Sequence, residues 1–96
     1  AAEEAGAFSV VLECMSAGIA RRITEEVQIP TIGIGAGVDC DGQVLVINDL
    51  LGINDGHVPK HVKAYANLRE EARRAVTQFR DDVRQGVFPG PEQTFQ

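Results

Sequence analysis

The chain has 96 residues, of which 44% are hydrophobic and 24% are charged, and this balance is typical of a soluble globular piece of at most one domain. Its formal net charge of -5, with no cluster of Lys and Arg interleaved with aromatic residues, argues against nucleic acid as a partner. No apolar run approaches the roughly 18 residues of a membrane span, and no charged segment precedes an apolar one at the N-terminus. We therefore expect no membrane partner and a cytoplasmic location.

The first segment, Ala1–Gly6, has the composition of the last turn of a helix with glycine as its stop, and we expect the beginning of that helix to be cut off. Phe8–Leu12 follows as a short apolar run, which predicts a buried strand that ends on Glu13. In parallel α/β proteins reactive groups project from the carboxyl ends of strands, so Glu13 is a candidate acid or base. The alternative is a strand-end carboxylate that pairs with Arg21 or Arg22.

Ser16 is a plausible N-cap for a helix over about residues 17 to 27. Its apolar positions share one face, and they are Ile19, Ala20, Ile23 and Val27. A second strand is predicted at Thr31–Ile34, and the order of strand, helix and strand indicates a right-handed βαβ unit with parallel strands. Both strands are apolar throughout, which is typical of a sheet covered on both faces.

The second strand runs into Gly33-Ile34-Gly35-Ala36-Gly37, a glycine pattern that invites a dinucleotide-binding interpretation. That interpretation fails because the sixth place is Val38 rather than glycine, and because Asp39 and Asp41 would repel a pyrophosphate. We instead predict that these small residues let the backbone pass close to a neighbour or to a ligand. The segment 39–42 lacks the further acids of a calcium loop and is predicted as a turn.

A third apolar run, Gln43–Ile47, comes so soon after Gly35 that the pattern allows either a parallel strand or a hairpin. Asn48 or Asp49 is a candidate cap for a short helical turn through residue 51, and residues 54–56 are predicted as a turn.

Pro59 is predicted to begin a helical region, and Asn67 with Glu70 forms the pattern of a capping box. A long helix over about 68–85 follows, and Gly86 ends it. We expect its apolar stripe to be buried; the stripe consists of Leu68, Ala72, Ala75, Val76, Phe79 and Val83. Two prolines in the tail, 87–96, predict an extended conformation there.

The cysteines and histidines do not form a metal-binding pattern. Cys14 and Cys40 lie far apart with no CxxC spacing, so we expect two ordinary reduced thiols. His57 and His61 are interpreted as solvated or helix-end histidines.

Three strands and two substantial helices leave both edges of a parallel sheet open, and such edges are usually covered. The fold class predicted from these elements is α/β, as the last portion of a (β/α)8 barrel or of a larger doubly wound sheet.

Six blocks of the chain resemble, in order, the C-terminal third of the ketopantoate hydroxymethyltransferase family. The blocks are residues 8–14, 20–24, 29–37, 41–46, 62–66 and 86–92. The resemblance implies an incomplete (β/α)8 TIM barrel of the phosphoenolpyruvate/pyruvate superfamily, in which Gln43–Ile47 would supply the closing strand, and a cytoplasmic homo-oligomer. It further implies transfer of a hydroxymethyl group from 5,10-methylenetetrahydrofolate to 3-methyl-2-oxobutanoate, which gives 2-dehydropantoate in pantothenate biosynthesis.

The same resemblance implies roles for individual residues. Glu13 matches the catalytic proton acceptor of the family, and Ile34, Val44 and Val46 match positions that line its substrate pocket. Mg2+ is expected to be held by acidic residues on early strands outside this chain, so no metal ligand is assigned here. The chain departs from the family pattern at Met15-Ser16, where a hydrophobe and proline are usual, and at Asn48, where histidine is common.

Two other functions stay open at this point. A sibling superfamily enzyme, a lyase or mutase acting on enolates, would share the barrel and the metal but would need a different residue at position 13. Alternatively, the chain is a non-catalytic fragment or assembly piece of the barrel, and by itself we expect it to be inactive.

Overall fold

A parallel sheet of three strands lies at the centre of the computed structural model, which describes residues 1–54 and 56–96. The strands are β1 (Val10–Glu13), β2 (Thr31–Ile34) and β3 (Gly42–Gln43), and they lie side by side in that order. Val10 pairs with Thr31 and Glu13 with Ile34, while Gln43 pairs with Gly33. The parallel βαβ unit is confirmed, and the hairpin alternative for the third strand is wrong.

Helix α1 (Ala17–Glu26) connects β1 to β2. Its first turn is capped as expected, because the Ser16 hydroxyl accepts a hydrogen bond of 3.4 Å from the Ile19 N–H. Ala20 is fully buried against the sheet, whereas the Ile19 side chain is more than half exposed. The predicted apolar face of this helix is therefore wrong at Ile19.

The hydrophobic core lies between α1 and one face of the sheet. Its buried members are Leu12, Ala20 and Ala36, and Val10 and Ile23 pack against them. Because side chains alternate along a strand, Val11 and Glu13 occupy the opposite face. That face is not covered by the described residues, since Val11 is 58% exposed. Covering of this face by parts of a larger barrel stays a prediction.

A partly buried hydrogen-bond cluster connects the beginning of β2 to its neighbours. Thr31 has no exposed surface, and its N–H donates to the Asp41 carboxylate over 2.9 Å. The Asp41 N–H donates to the Thr31 hydroxyl over 3.1 Å, so the two residues bind each other from both sides. The Thr24 hydroxyl lies 2.9 Å from that of Thr31 and 2.9 Å from the Ala20 carbonyl oxygen. Asp41 therefore lies in the predicted turn but has a specific structural role.

The third strand is shorter than the apolar run that predicted it. Only Gly42–Gln43 pair with β2, and residues 44–46 leave the ladder before α2 (Ile47–Leu50) begins. Asn48 and Asp49 lie inside this helix, whose N-cap is Val46, so the prediction that either of them caps it is wrong. One further bond, from the Val44 N–H to the Gly33 carbonyl over 3.0 Å, keeps the chain beside β2 after Gln43.

Helix α3 (Leu68–Gln85) ends at Gly86, which has the left-handed conformation expected of a helix stop. The predicted capping box is not formed, because Asn67 makes no side-chain cap bond and Glu70 accepts a hydrogen bond from Arg73 instead. That hydrogen bond lowers the pKa of the Glu70 carboxyl from its ordinary value. The pair is exposed, so solvent screens it and its contribution to folding is small.

The apolar stripe of α3 is not buried by the described residues. Phe79 is 54% exposed, and its one ring contact among them is with Phe88, whose centroid lies 5.4 Å away. The radius of gyration of 22.3 Å agrees with a helix that extends away from the sheet, since a compact chain of about 100 residues has roughly 13 Å. Burial of this stripe in a larger barrel stays a prediction.

The remaining segments are irregular. A turn replaces the helical region predicted from Pro59, and a short 3-10 helix (Pro91–Gln93) replaces part of the extended tail. Asp55, in the predicted turn at 54–56, lies outside the described residues. None of the helices that residues 1–54 and 56–96 form combines the length and apolar character needed to cross a membrane.

We expect Thr31→Val to lower the free energy of unfolding by about 1–3 kcal/mol, because it removes the buried hydroxyl that accepts from the Asp41 N–H and lies 2.9 Å from the Thr24 hydroxyl, whereas the N–H of residue 31 still donates to the Asp41 carboxylate. Urea unfolding of the intact protein measures the change. Thr77→Val is the matched control, since Thr77 is exposed on α3 and should shift the value by less than about 0.5 kcal/mol. Equal effects of the two substitutions would contradict the role given to the cluster.

Candidate functional site

The Glu13 carboxylate lies at the carboxyl end of β1 and is exposed. Among the described residues it has no hydrogen-bond or ion-pair partner. The two arginines proposed as its structural partners bind elsewhere: Arg21 lies 3.9 Å from Glu25, and Arg22 lies 3.7 Å from Glu26. The interpretation of Glu13 as half of an ion pair with α1 is therefore wrong, and its carboxylate is open to a ligand.

The backbone that follows Glu13 is held in an uncommon conformation. Cys14 has a positive φ of 49°, which residues with a side chain adopt rarely outside turns and functional sites. Its N–H donates to the Ile34 carbonyl over 2.9 Å, and the Met15 N–H donates to Gly35 over 3.0 Å. These bonds keep the chain beside β2 up to the start of α1, so the position of Glu13 is fixed from both sides.

The strand register places two of the predicted pocket residues in line with Glu13. Ile34 pairs with Glu13, and Val44 follows Gln43, whose partner is Gly33, the residue before Ile34. Because side chains alternate, Glu13, Ile34 and Val44 lie in a row across the uncovered face of the sheet. Val46 lies outside the ladder, at the N-cap of α2, and is about half exposed. The row therefore has a carboxylate at one end and two aliphatic side chains next to it.

The glycines after β2 allow close packing around this edge of the sheet. A Cβ on Gly35 would lie 3.0 Å from the His61 ring, and a Cβ on Gly37 would lie 2.6 Å from that of Ala17. Both glycines have positive φ, at 69° and 84°. The prediction that small residues here permit a close approach is confirmed, and the neighbours are a histidine ring and the first residue of α1.

A cleft of about 1020 Å³ opens beyond the carboxyl ends of β1 and β2. It is lined by Cys14, Ala17, Gly35, Gly37, Val38, Gln43, Lys60, His61 and Lys63. Glu13 and the apolar row do not line it, although Cys14 directly follows Glu13. The site thus has two adjacent parts, an apolar face with one carboxylate and a cleft with cationic side chains.

Sequence reasoning missed the cationic part. One feature of the sequence could have indicated it: Lys60 and Lys63 are the two lysines of the chain, and only two residues separate them. The spacing does not reveal that their loop returns to the end of β2, which depends on the contact between His61 and Gly35.

The other chemistry-bearing residues behave as ordinary groups. Cys14 and Cys40 are free thiols, and Cys40 packs against Gly33. His57 is exposed. Within residues 1–54 and 56–96, no group of three or more His, Cys, Asp or Glu side chains is placed to hold a metal ion.

Known proteins resemble the chain along nearly its whole length. A family model described as ketopantoate hydroxymethyltransferase matches residues 1–91. A 3-methyl-2-oxobutanoate hydroxymethyltransferase of Syntrophus aciditrophicus is 59% identical over 93 residues, which cover 97% of this chain and 34% of that relative. One of Syntrophotalea carbinolica is 59% identical over 95 residues, 99% of this chain and 36% of the relative. One of Enterococcus faecalis is 56% identical over 95 residues, which cover 99% of this chain and 34% of that relative. The chain spans about a third of the length of these curated relatives.

We expect Gly37→Ala to lower the free energy of unfolding by about 1–3 kcal/mol, because a side chain at this positive φ would also overlap Ala17. Gly18→Ala is the matched control with the opposite sign. Gly18 lies inside α1 with its nearest neighbour at 3.8 Å, so alanine should stabilise the protein by about 0.5–1 kcal/mol. Urea melts of both variants test the close approach, and a stable Gly37→Ala protein would contradict it.

Proposed function

Because the chain belongs to the ketopantoate hydroxymethyltransferase family, we propose that it forms the C-terminal third of a 3-methyl-2-oxobutanoate hydroxymethyltransferase. The proposed reaction transfers the one-carbon unit of 5,10-methylenetetrahydrofolate to 3-methyl-2-oxobutanoate and gives 2-dehydropantoate and tetrahydrofolate. Since the chain spans about a third of its relatives, this activity is proposed for an enzyme of their full length.

One observation carries the proposal: Glu13, which has no partner among the described residues, presents its carboxylate at the end of a parallel strand, beside aliphatic side chains. The reaction must remove a proton from the carbon next to the ketone before a carbon–carbon bond can form. A positioned carboxylate is a suitable acceptor for that proton. We propose that Glu13 takes it up, after which the carbon bonds to the folate methylene and both carbon–nitrogen bonds of that methylene break. Water supplies the hydroxyl group, and the proton on Glu13 and the remaining proton of the water pass to the two folate nitrogens.

The aliphatic residues beside Glu13 agree with the proposed substrate. The isopropyl group of 3-methyl-2-oxobutanoate is small and branched, and binding pockets for such groups have mostly apolar walls. Ile34 and Val44 lie in the same row as Glu13, and we propose that they contact this group together with Val46.

Mg2+ does not fit the residues that the structure describes. The described part, 1–54 and 56–96, has no group of carboxylates or imidazoles that could hold a metal ion. We propose that acidic residues outside this chain hold the Mg2+ of the full-length enzyme. No role in the steps above depends on it.

We further propose that the sheet is part of a (β/α)8 barrel in a cytoplasmic homo-oligomer. The uncovered sheet face and the exposed stripe of α3 support a larger assembly, since apolar surfaces of this kind are usually covered. The match to a single family over residues 1–91 favours the transferase over a sibling lyase or mutase. The non-catalytic alternative predicts that Glu13 has no kinetic role, which the next experiment tests.

Glu13→Gln should lower kcat by about 10²–10⁴ while leaving stability and keto-acid affinity nearly unchanged, because it keeps the shape and removes the base. The measurement uses the Syntrophus aciditrophicus relative with residues 1–96 in place of its own matching segment. Glu25→Gln is the control, since Glu25 is an exposed carboxylate of the same βα unit that binds Arg21. A stable Glu13→Gln enzyme with turnover near that of the parent would rule out the catalytic role.

The substitution Phe79→Ala tests whether the α3 stripe is covered, as the proposed barrel requires. If the α3 stripe is covered in the full-length enzyme, this change should cost about 3–5 kcal/mol of unfolding free energy. Phe95→Ala is the control, because Phe95 is 99% exposed in the tail and truncating it should change little. Urea melts of the same chimeric enzyme give both values. A loss below about 1 kcal/mol for Phe79→Ala would mean that the stripe remains open, as it is here.

A further inference from the structure

The cationic cleft described above holds both lysines of the chain, Lys60 and Lys63, together with His61. None of its lining residues is a carboxylate, although the chain as a whole has a formal net charge of -5. A cleft walled by one sign of charge raises the local concentration of ions of the opposite sign. This part of the surface therefore favours an anion, in contrast to the rest of the chain.

Among the described residues the two lysines have no ion-pair partner, whereas at least five of the seven arginines have one. Five arginines bind carboxylates on their own helices: Arg21, Arg22, Arg73, Arg74 and Arg80. Among the described residues neither Lys60 nor Lys63 has a carboxylate within ion-pair distance. The Lys63 ammonium lies 4.8 Å from the centroid of the Tyr65 ring, which restrains it without neutralising it. Both charges are available to a ligand.

The cleft lies next to the candidate active site, because residues of the two sites are neighbours along the backbone. Cys14 lines the cleft and directly follows Glu13, and His61 contacts the end of β2 at Gly35. A ligand anion held by the lysines would therefore belong to a molecule that also reaches the edge of the sheet where Glu13 lies. Ligands of parallel α/β sheets bind at this edge.

We infer that the cleft is a carboxylate-binding subsite in which Lys60 and Lys63 bind a carboxylate of one of the two substrates. The inference rests on the proposed function, which supplies two sources of this chemistry. In the keto acid the carboxylate is bonded to the keto carbon, close to the reacting atom. In the folate the carboxylates belong to the glutamate tail, far from the transferred carbon.

The test replaces both lysines by methionine, Lys60→Met with Lys63→Met, in the chimeric full-length enzyme. Methionine keeps the unbranched apolar chain and removes the charge. Losing a charge-assisted contact should raise KM for one substrate by about tenfold or more, with a smaller effect on kcat. Arg84→Met is the control, because Arg84 is an exposed cation in the last turn of α3, outside the cleft.

The two sources give different results. A raised KM for 3-methyl-2-oxobutanoate identifies the keto-acid carboxylate, and a raised KM for 5,10-methylenetetrahydrofolate identifies the glutamate tail. The pair Lys60→Arg with Lys63→Arg should keep both values near those of the parent, because the charge is retained. If both KM values of the methionine variant stay within about twofold of the parent in a folded enzyme, the inference is overturned.

A binding measurement separates this inference from the proposed function. Calorimetry with glutarate, a plain dicarboxylate, should detect binding to the parent that weakens with added salt and with the methionine variant. An enzyme that binds glutarate through the lysines but transfers no hydroxymethyl group would overturn the proposed function and leave the carboxylate subsite standing. An inactive parent that also fails to bind glutarate would overturn both.

Discussion

The reciprocal bonding of Thr31 and Asp41 is the constraint on which the rest of the structure depends. Thr31 is fully buried, and a buried polar group without a partner is costly, so Asp41 must lie where it can satisfy both the N–H and the hydroxyl. Through Thr24 the same cluster reaches the second half of α1. One polar centre thus fixes helix, strand and the turn into β3 relative to one another, although the apolar core beside it is small.

Fixing the start of β2 also fixes its carboxyl end, where the candidate site lies. Because Thr31 pairs with Val10, the parallel register places Ile34, three residues later, beside Glu13. Beyond that point the backbone bonds of Cys14 and Met15 continue the alignment, and the small residues Gly35 and Gly37 let the loops close over the strand ends. The carboxylate is positioned by the main chain and by no side-chain partner among the described residues, which leaves its oxygens open to a substrate.

Local patterns predicted the elements whose causes are local. The βαβ unit, the Ser16 cap, the strand Thr31–Ile34 and the stop at Gly86 each follow from neighbouring residues. The apolar run Gln43–Ile47 overestimated the length of the third strand, of which only Gly42–Gln43 form, because hydrophobicity does not indicate where a chain leaves its partner strand. The candidate Glu13 came from its place at a strand end, whereas the cleft of Lys60 and Lys63 depends on a loop returning to β2 over a long stretch of sequence. The periodicity of hydrophobic residues along the sequence does not predict such a long-range contact.

The two uncovered apolar surfaces bear on the chemistry as well as on stability. Three buried apolar residues form the core, namely Leu12, Ala20 and Ala36, and a core of that size contributes little against the conformational entropy of 96 residues. Glu13 lies on the sheet face that remains open, in contact with water. A carboxylate accepts protons more effectively once water is excluded and its surroundings are fixed. Under the role proposed for Glu13, whatever packs on this face would complete the environment of the base as well as the fold. This chain would then set the position of the base, and the surface that covers it would set its reactivity.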